Sequence, residues 1–223
     1  MSASVVPLPL GSSTVYAVRG RRTVLVDTGF AGHEDRVLRR LVRAGIDPGS
    51  VSLIVLTHCH PDHAGGAAAL RRRLGAPVAV HAAEAAWAEA GTSELYEPQG
   101  AFGRILTWTL NTRFPAFSPD VVLSDGDGLD AHGVPVDVLH TPGHTPGSIA
   151  LHHRESGDAL VGDLLAGSMT RRDRPGPPFL AQDTDSIRDS VRRVLASGAT
   201  RFLFGHGRPA SAASVRRLAA PCG

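Results

Sequence analysis

Lysine is absent from this sequence of 223 residues; all 23 basic residues are arginine. That excludes a Schiff-base lysine and a phosphate-binding loop built around one. Cysteine is nearly absent too. Cys59 and Cys222 are the whole complement, which excludes a disulfide scaffold and a four-cysteine zinc module. No apolar run reaches the ~20 residues of a membrane-spanning helix. The opening MSASVVPLPLGSS lacks the basic start and long apolar stretch of a secretion signal. A cytoplasmic protein without a membrane partner is therefore expected. Charge of one sign is not in excess, since 21 acidic residues oppose the 23 arginines. The short arginine runs at 71–73 and 171–174 stand apart among acidic neighbours, so no nucleic-acid face is expected.

What is present suits one globular domain over residues 1–223, a length that buries roughly 70% of its unfolded surface without disulfides. The β-branched runs 15–19 and 23–26, separated by Gly20, Arg21 and Arg22, predict a hairpin. Val37, Leu38 and Leu41 share one face of a helix over about 34–43. The apolar run 51–56 predicts a buried strand. Helices are expected at 67–74, 82–90, 184–196 and 212–218, and strands at 78–80, 134–139, 148–151, 159–161 and 201–204. Arg, Gly and Pro make 168–178 a loop. The segment 91–120 resists placement and reads as a variable apolar insert. Strands thus fall into an early and a late group, which favours two sheets with helices on their outer faces over one doubly wound sheet.

The chemistry-bearing residues begin with His58, His60, Asp62 and His63, just after a predicted buried strand. Residues two apart in extended chain project to the same side, so His58 and His60 aim at one point while Cys59 faces away. Asp62 and His63 turn back towards the next helix and serve a second point nearby. Imidazole and carboxylate ligands suit zinc, iron or manganese. The alternative is a polar turn of histidines bonded to backbone. Three further residues weigh against it: His144 in TPGHTPGS, Asp163 in VGD and His206 in FGHG each stand at a strand end beside glycine or proline. Loops at strand ends are where a rigid sheet presents ligands.

This ordered set, opening with Asp27-Thr28-Gly29, resembles the metallo-β-lactamase fold superfamily of hydrolases over roughly residues 13–210. The resemblance implies a four-layer αββα sandwich of two mixed sheets. It implies that His58, His60 and His144 bind one metal, that Asp62, His63 and His206 bind another, and that Asp163 bridges them. Two Zn²⁺ per chain are then expected, with iron or manganese as alternatives. A hydroxide clamped between the metals would attack a carbonyl or phosphorus centre, a metal-bound water or Asp62 would handle the proton, and Asp27 would orient a ligand histidine.

Departures from the family patterns narrow the choice. Asp163 stands where the best-known zinc β-lactamases carry a cysteine. Only 17 residues follow His206, too few for the helical glutathione-binding domain of glyoxalase II, and the Gly-Cys-Gly-Arg segment shared with persulfide dioxygenases is missing. The tyrosine of quorum-quenching lactonases is replaced by Ala166. The expectation is a compact hydrolase acting on an ester, thioester or lactone of small size. The rivals are a mononuclear iron oxidoreductase of thiols or persulfides, a phosphodiesterase, and a non-catalytic binding protein. Trp87, Tyr96, Phe102, Trp108 and Phe117 are candidates for an apolar substrate wall, or for packing or a homodimer contact. Tyr96, Trp108 and Arg171 are the candidate substrate contacts.

Overall fold

The computed structural model describes residues 4–94, 96–99 and 111–219. The chain opens with an antiparallel meander, β1 (Ser4–Pro9), β2 (Thr14–Arg19) and β3 (Thr23–Val26). Helix α1 (Glu34–Arg43) then leads to β4 (Val51–Val55), which lies parallel to β3. A parallel neighbour requires such a crossover. Glu34 and Asp35 in the first turn of α1, and Arg40 and Arg43 in the last, complement its dipole. Gly45, at φ +68°, reverses the chain just beyond its end. After α2 (Pro61–Ala64) and α3 (Ala67–Leu74) comes β5 (Val78–His81), followed by α4 (Ala85–Ala90), the two-residue β6 (Glu97–Pro98) and β7 (Val121–Leu123). The first sheet has the order β1-β2-β3-β4-β5-β7.

The second half holds β8 (Val136–His140), β9 (Ile149–His153) and β10 (Asp158–Leu160). The short strands β11 (Ala166–Gly167), β12 (Pro175–Gly176) and β13 (Leu180–Ala181) precede α5 (Thr184–Ala196), β14 (Arg201–Leu203), β15 (Ala210–Ser211) and α6 (Ala212–Ala219). The second sheet has the order β15-β14-β10-β9-β8, with β14 parallel to β10.

Period-two alternation sorts side chains into layers. On β3, Val24 and Val26 join Val18, Leu53 and Val55 in a core shared with Val136, Val138, Ile149, Leu151 and Leu203 of the other sheet. Leu25, between them, faces Val37 and Leu41 of α1 and Leu70 of α3. On the far side Ala159 and Phe202 meet Ile187, Val191 and Val194 of α5 and Val215 of α6. The result is the αββα sandwich that the resemblance implied. Leu53, fully buried between the sheets, gives a direct check on that core. Leu53→Ala should cost about 2–5 kcal/mol, read as a lowered urea midpoint at unchanged slope.

Helices 34–43, 67–74 and 184–196 begin and end where the sequence placed them. Other expectations need correction. The helix expected over 82–90 starts as a 3₁₀ turn, Ala82–Glu84. The loop expected over 168–178 pairs with chain before it, Pro175–Gly176 against Ala166–Gly167. Strand β1 carries Pro7 and Pro9; it is an edge strand, where proline is tolerated. Among the described residues no helix is long and apolar enough to cross a membrane.

Candidate metal centre

Seven of the predicted residues meet at one rim of the sandwich. Beyond β4 the chain stays extended through His58 to His60, and Pro61 at the first helical position starts α2. His144 lies in the turn between β8 and β9, Asp163 follows β10, and His206 follows β14. Because β10 and β14 are parallel and β9 runs against them, these three loops share one end of the second sheet. Hydrogen bonds tie the two sheets together there. Thr14 N–H donates to Gly205 O at 2.8 Å, Ile149 N–H to Thr57 O at 2.9 Å, and the Tyr16 hydroxyl to Phe204 O at 2.8 Å.

Two trios result. His144 Nε2 stands 3.2 Å from His58 Nε2 and 3.0 Å from His60 Nδ1. In the second trio, Asp62 Oδ2 is 3.0 Å from His206 Nε2 and 3.7 Å from His63 Nε2. Asp163 lies between the trios: Oδ2 is 3.2 Å from His206 Nε2 and 3.8 Å from His144 Nε2, and Oδ1 is 3.4 Å from His63 Nε2. Ligand atoms within each trio lie within 4.8 Å of one another.

The outward nitrogens fix the tautomers. His60 Nε2 faces Glu94 O at 3.1 Å, His144 Nδ1 faces Leu180 O at 2.8 Å, and His206 Nδ1 faces Ser12 O at 2.7 Å. Carbonyls only accept, so each of these nitrogens carries the proton. His63 Nδ1 donates to Asp27 Oδ2 at 2.9 Å. The Thr57 hydroxyl gives its proton to Asp27, at 2.9–3.0 Å, and so accepts from His58 Nδ1 at 3.1 Å. His58, His60 and His144 therefore turn bare lone pairs towards one another, and His63 and His206 turn Nε2 towards the two carboxylates. Facing lone pairs at 3.0–3.2 Å repel unless a cation stands between them. His63 Nε2 and Asp163 Oδ1 are buried and form no hydrogen bond, which costs free energy in a site without a cation. The residues fit a metal.

Electrostatics agree. Burial, together with the neighbouring imidazoles, pushes His58 well down and His60 down to about 3, so both rings stay neutral. Burial opposes charge on Asp62 and Asp163, but His63 and His206 outweigh it and hold both carboxyls below the usual range. Burial also opposes charge on His63 and His206; there the surrounding carboxylates win and raise both rings. Protons and a cation therefore compete for the same two nitrogens.

Asp27 lies behind His63, at φ +63°, a left-handed conformation that aspartate tolerates better than most residues. Gly205 leaves room for the second trio, since a Cβ there would stand 2.3 Å from Asp163 Oδ1. Cys59 is buried and its thiol is pushed up by burial and by Glu84, as expected of a packed thiol. The stacked rings of His81 and His140, 4.1 Å apart, stay outside both trios.

The expected apolar wall is only partly present. Phe117 is a core residue and Trp87 packs on the same cluster, because β5 and α3 leave an apolar surface that they cover. Tyr96 is half-buried, 6.3 Å from Trp87. Phe102 and Trp108 lie outside the described residues. Arg171 is exposed, on a cleft lined also by Gln99, Arg174 and Phe179, and the Phe179 ring packs 5.7 Å from His206. Sequence reasoning missed Glu84, a buried acid behind the first trio. Its signal was an acid among alanines, one turn before the buried Ala88.

A rim of strand-end loops carrying imidazoles and carboxylates towards one point, on an αββα sandwich, defines a metal-dependent enzyme class. The profile described as Metallo-beta-lactamase superfamily matches residues 8–206. The chain belongs to that superfamily of metal-dependent hydrolases. It is 28% identical over 199 residues to hydroxyacylglutathione hydrolase GloC of Haemophilus influenzae, covering 84% of this chain and 81% of that one. It is 30% identical over 179 residues to an N-acyl homoserine lactonase of a Bacillus species, covering 78% and 62%. The solved metallo-beta-lactamase family protein TTHA1429 of Thermus thermophilus matches with TM-score 0.67 and 27% identity, over 97% of this chain and 76% of that one.

Proposed function

We propose that the chain is a dinuclear zinc hydrolase that opens an ester, thioester or lactone. The observation that carries this reading is the convergence of five inward ring nitrogens and two carboxylates, with Asp163 between the two trios. His58, His60 and His144 would hold one cation and Asp62, His63 and His206 the other, with Asp163 reaching both. Neutral imidazole with carboxylate suits zinc. Two bound divalent cations would supply a water of lowered pKa and polarise the substrate carbonyl.

The rest falls to the chain's own residues. Asp62 is assigned the proton, being ionised and the more exposed of the two site carboxylates, 18% against 11% for Asp163. Asp27 keeps His63 in the tautomer that leaves Nε2 free. Tyr96 and Arg171 are assigned to the substrate; Arg171 lines a cleft of about 660 Å³ together with Phe179, whose ring packs 5.7 Å from His206. Acyl substrates are favoured over phosphodiesters because the arginines are scattered. Both curated relatives named above are hydrolases of acyl compounds, one a hydroxyacylglutathione and the other an N-acyl homoserine lactone.

Elemental analysis of protein purified without chelator or added metal tests the reading. Near two zinc per chain is expected, with turnover on a panel of esters, thioesters and lactones that a chelator abolishes. About one iron with little zinc would overturn it and direct attention to oxygen uptake with thiols and persulfides.

A further inference from the structure

Glu84 is 1% exposed and sits among Ala82, Ala83, Ala85 and Ala86. A buried carboxylate is costly unless fully paired. All of its pairing goes to two loops. Oε2 accepts the backbone N–H of Cys59, the residue between His58 and His60. Oε1 accepts the hydroxyl of Thr145, the residue after His144, and Gly147 N–H at 3.2 Å. Gly147 is bare where it meets this acid, because a Cβ would stand 2.6 Å from Glu84 Cγ. Thr145 is fixed in turn by Ser148, whose Oγ lies 2.7 Å from its hydroxyl.

The two loops come from different sheets, one after β4 and one between β8 and β9. Among the described residues, a backbone bond from Ile149 N–H to Thr57 O also spans them near the first trio. Asp27 grips the side chains of His63 and Thr57; Glu84 instead grips backbone and hydroxyl groups within three residues of His58, His60 and His144. The two buried acids thus act differently: Asp27 sets ring tautomers, directly for His63 and through Thr57 for His58, and Glu84 fastens the chain on either side of the first trio.

We propose that Glu84 is a positioning residue for the first metal position, fastening the 58–60 segment to the 144–147 turn in the register that brings His58 Nε2, His60 Nδ1 and His144 Nε2 to one point. It touches no ligand atom, and its effect is selective for one trio. Glutamine cannot replace it, since an amide offers one oxygen where three donors converge. Thr145→Val removes one of those donors from the opposite side. This inference rests on the metal-centre reading above.

The test is zinc titration of the full-length chain against a competing chelator, for wild type, Glu84→Gln and Thr145→Val, with the thermal midpoint of each metal-free protein. Wild type is expected to bind two equivalents. Each variant should retain one at wild-type affinity and bind the other about 10–100-fold more weakly. Both equivalents unchanged in the variants would overturn this proposal alone, as would a lower metal-free midpoint with affinity intact. A wild-type chain that binds no zinc overturns the metal-centre reading and this proposal with it. If Glu84→Gln does not fold, the titration of Thr145→Val decides the matter by itself.

Discussion

Asp163→Ala is expected to fold normally, to lose at least one of two metal equivalents, and to hydrolyse substrate on the order of 10³-fold more slowly. The magnitude follows from removing one cation's stabilisation of a developing oxyanion, worth about 4 kcal/mol. Among the described residues Asp163 is the carboxylate that stands between the trios, at 3.2 Å from His206 and 3.8 Å from His144. In the metal-free chain Asp163 pairs with His206 at 3.2 Å and is repelled by Asp62. Far-UV circular dichroism should therefore stay close to wild type, with at most a modest fall in the metal-free thermal midpoint. Asp163→Asn keeps the shape and one oxygen, and should fall between the two in metal content. Unchanged turnover in Asp163→Ala would refute the bridging role.

The ligand set was legible because its spacing obeys backbone geometry. His58 and His60 share a side of an extended segment, and His144, Asp163 and His206 each announce a strand end with glycine or proline beside them. Asp27 was legible from the motif it opens. What holds the rings was not. Ser12, Glu94 and Leu180 contribute only carbonyl oxygens, a group that every residue carries, so no residue type marks them. Their placement depends on pairing between distant segments: β6 meets β13, and Gln99 N–H donates to Phe179 O at 2.8 Å. The first of these segments lies in the stretch 91–120 that resists placement from sequence, and the second lies just past the expected loop 168–178. Glu84 was hidden differently. An acid at the start of an alanine-rich helix reads as solvated charge until the turn that covers it is in place.

Asp27→Asn should carry the second large effect, and hydrogen-bond accounting shows why. The carboxylate accepts Thr57 N–H at 2.8 Å, the Thr57 hydroxyl at 2.9–3.0 Å and His63 Nδ1–H at 2.9 Å. Asparagine adopts the left-handed backbone as readily as aspartate, so the chain path at φ +63° does not confound the result. Its amide has one oxygen. If that oxygen meets Thr57, the NH₂ meets His63 Nδ1, and the ring moves its proton to Nε2, into the second trio. If it meets His63, the NH₂ opposes Thr57 N–H, donor against donor. The hydroxyl of Thr57 is then free to donate to His58 Nδ1, which shifts the His58 proton to Nε2 and into the first trio. Either orientation of the amide thus sends a ring proton into one of the two metal positions. Zinc affinity should drop about 10–100-fold, and imidazole ¹⁵N shifts of the metal-free protein should report the altered tautomer. Excess zinc should restore most of the turnover, because every ligand atom is still present. Turnover that stays low at saturating zinc would instead place Asp27 in the chemical step itself.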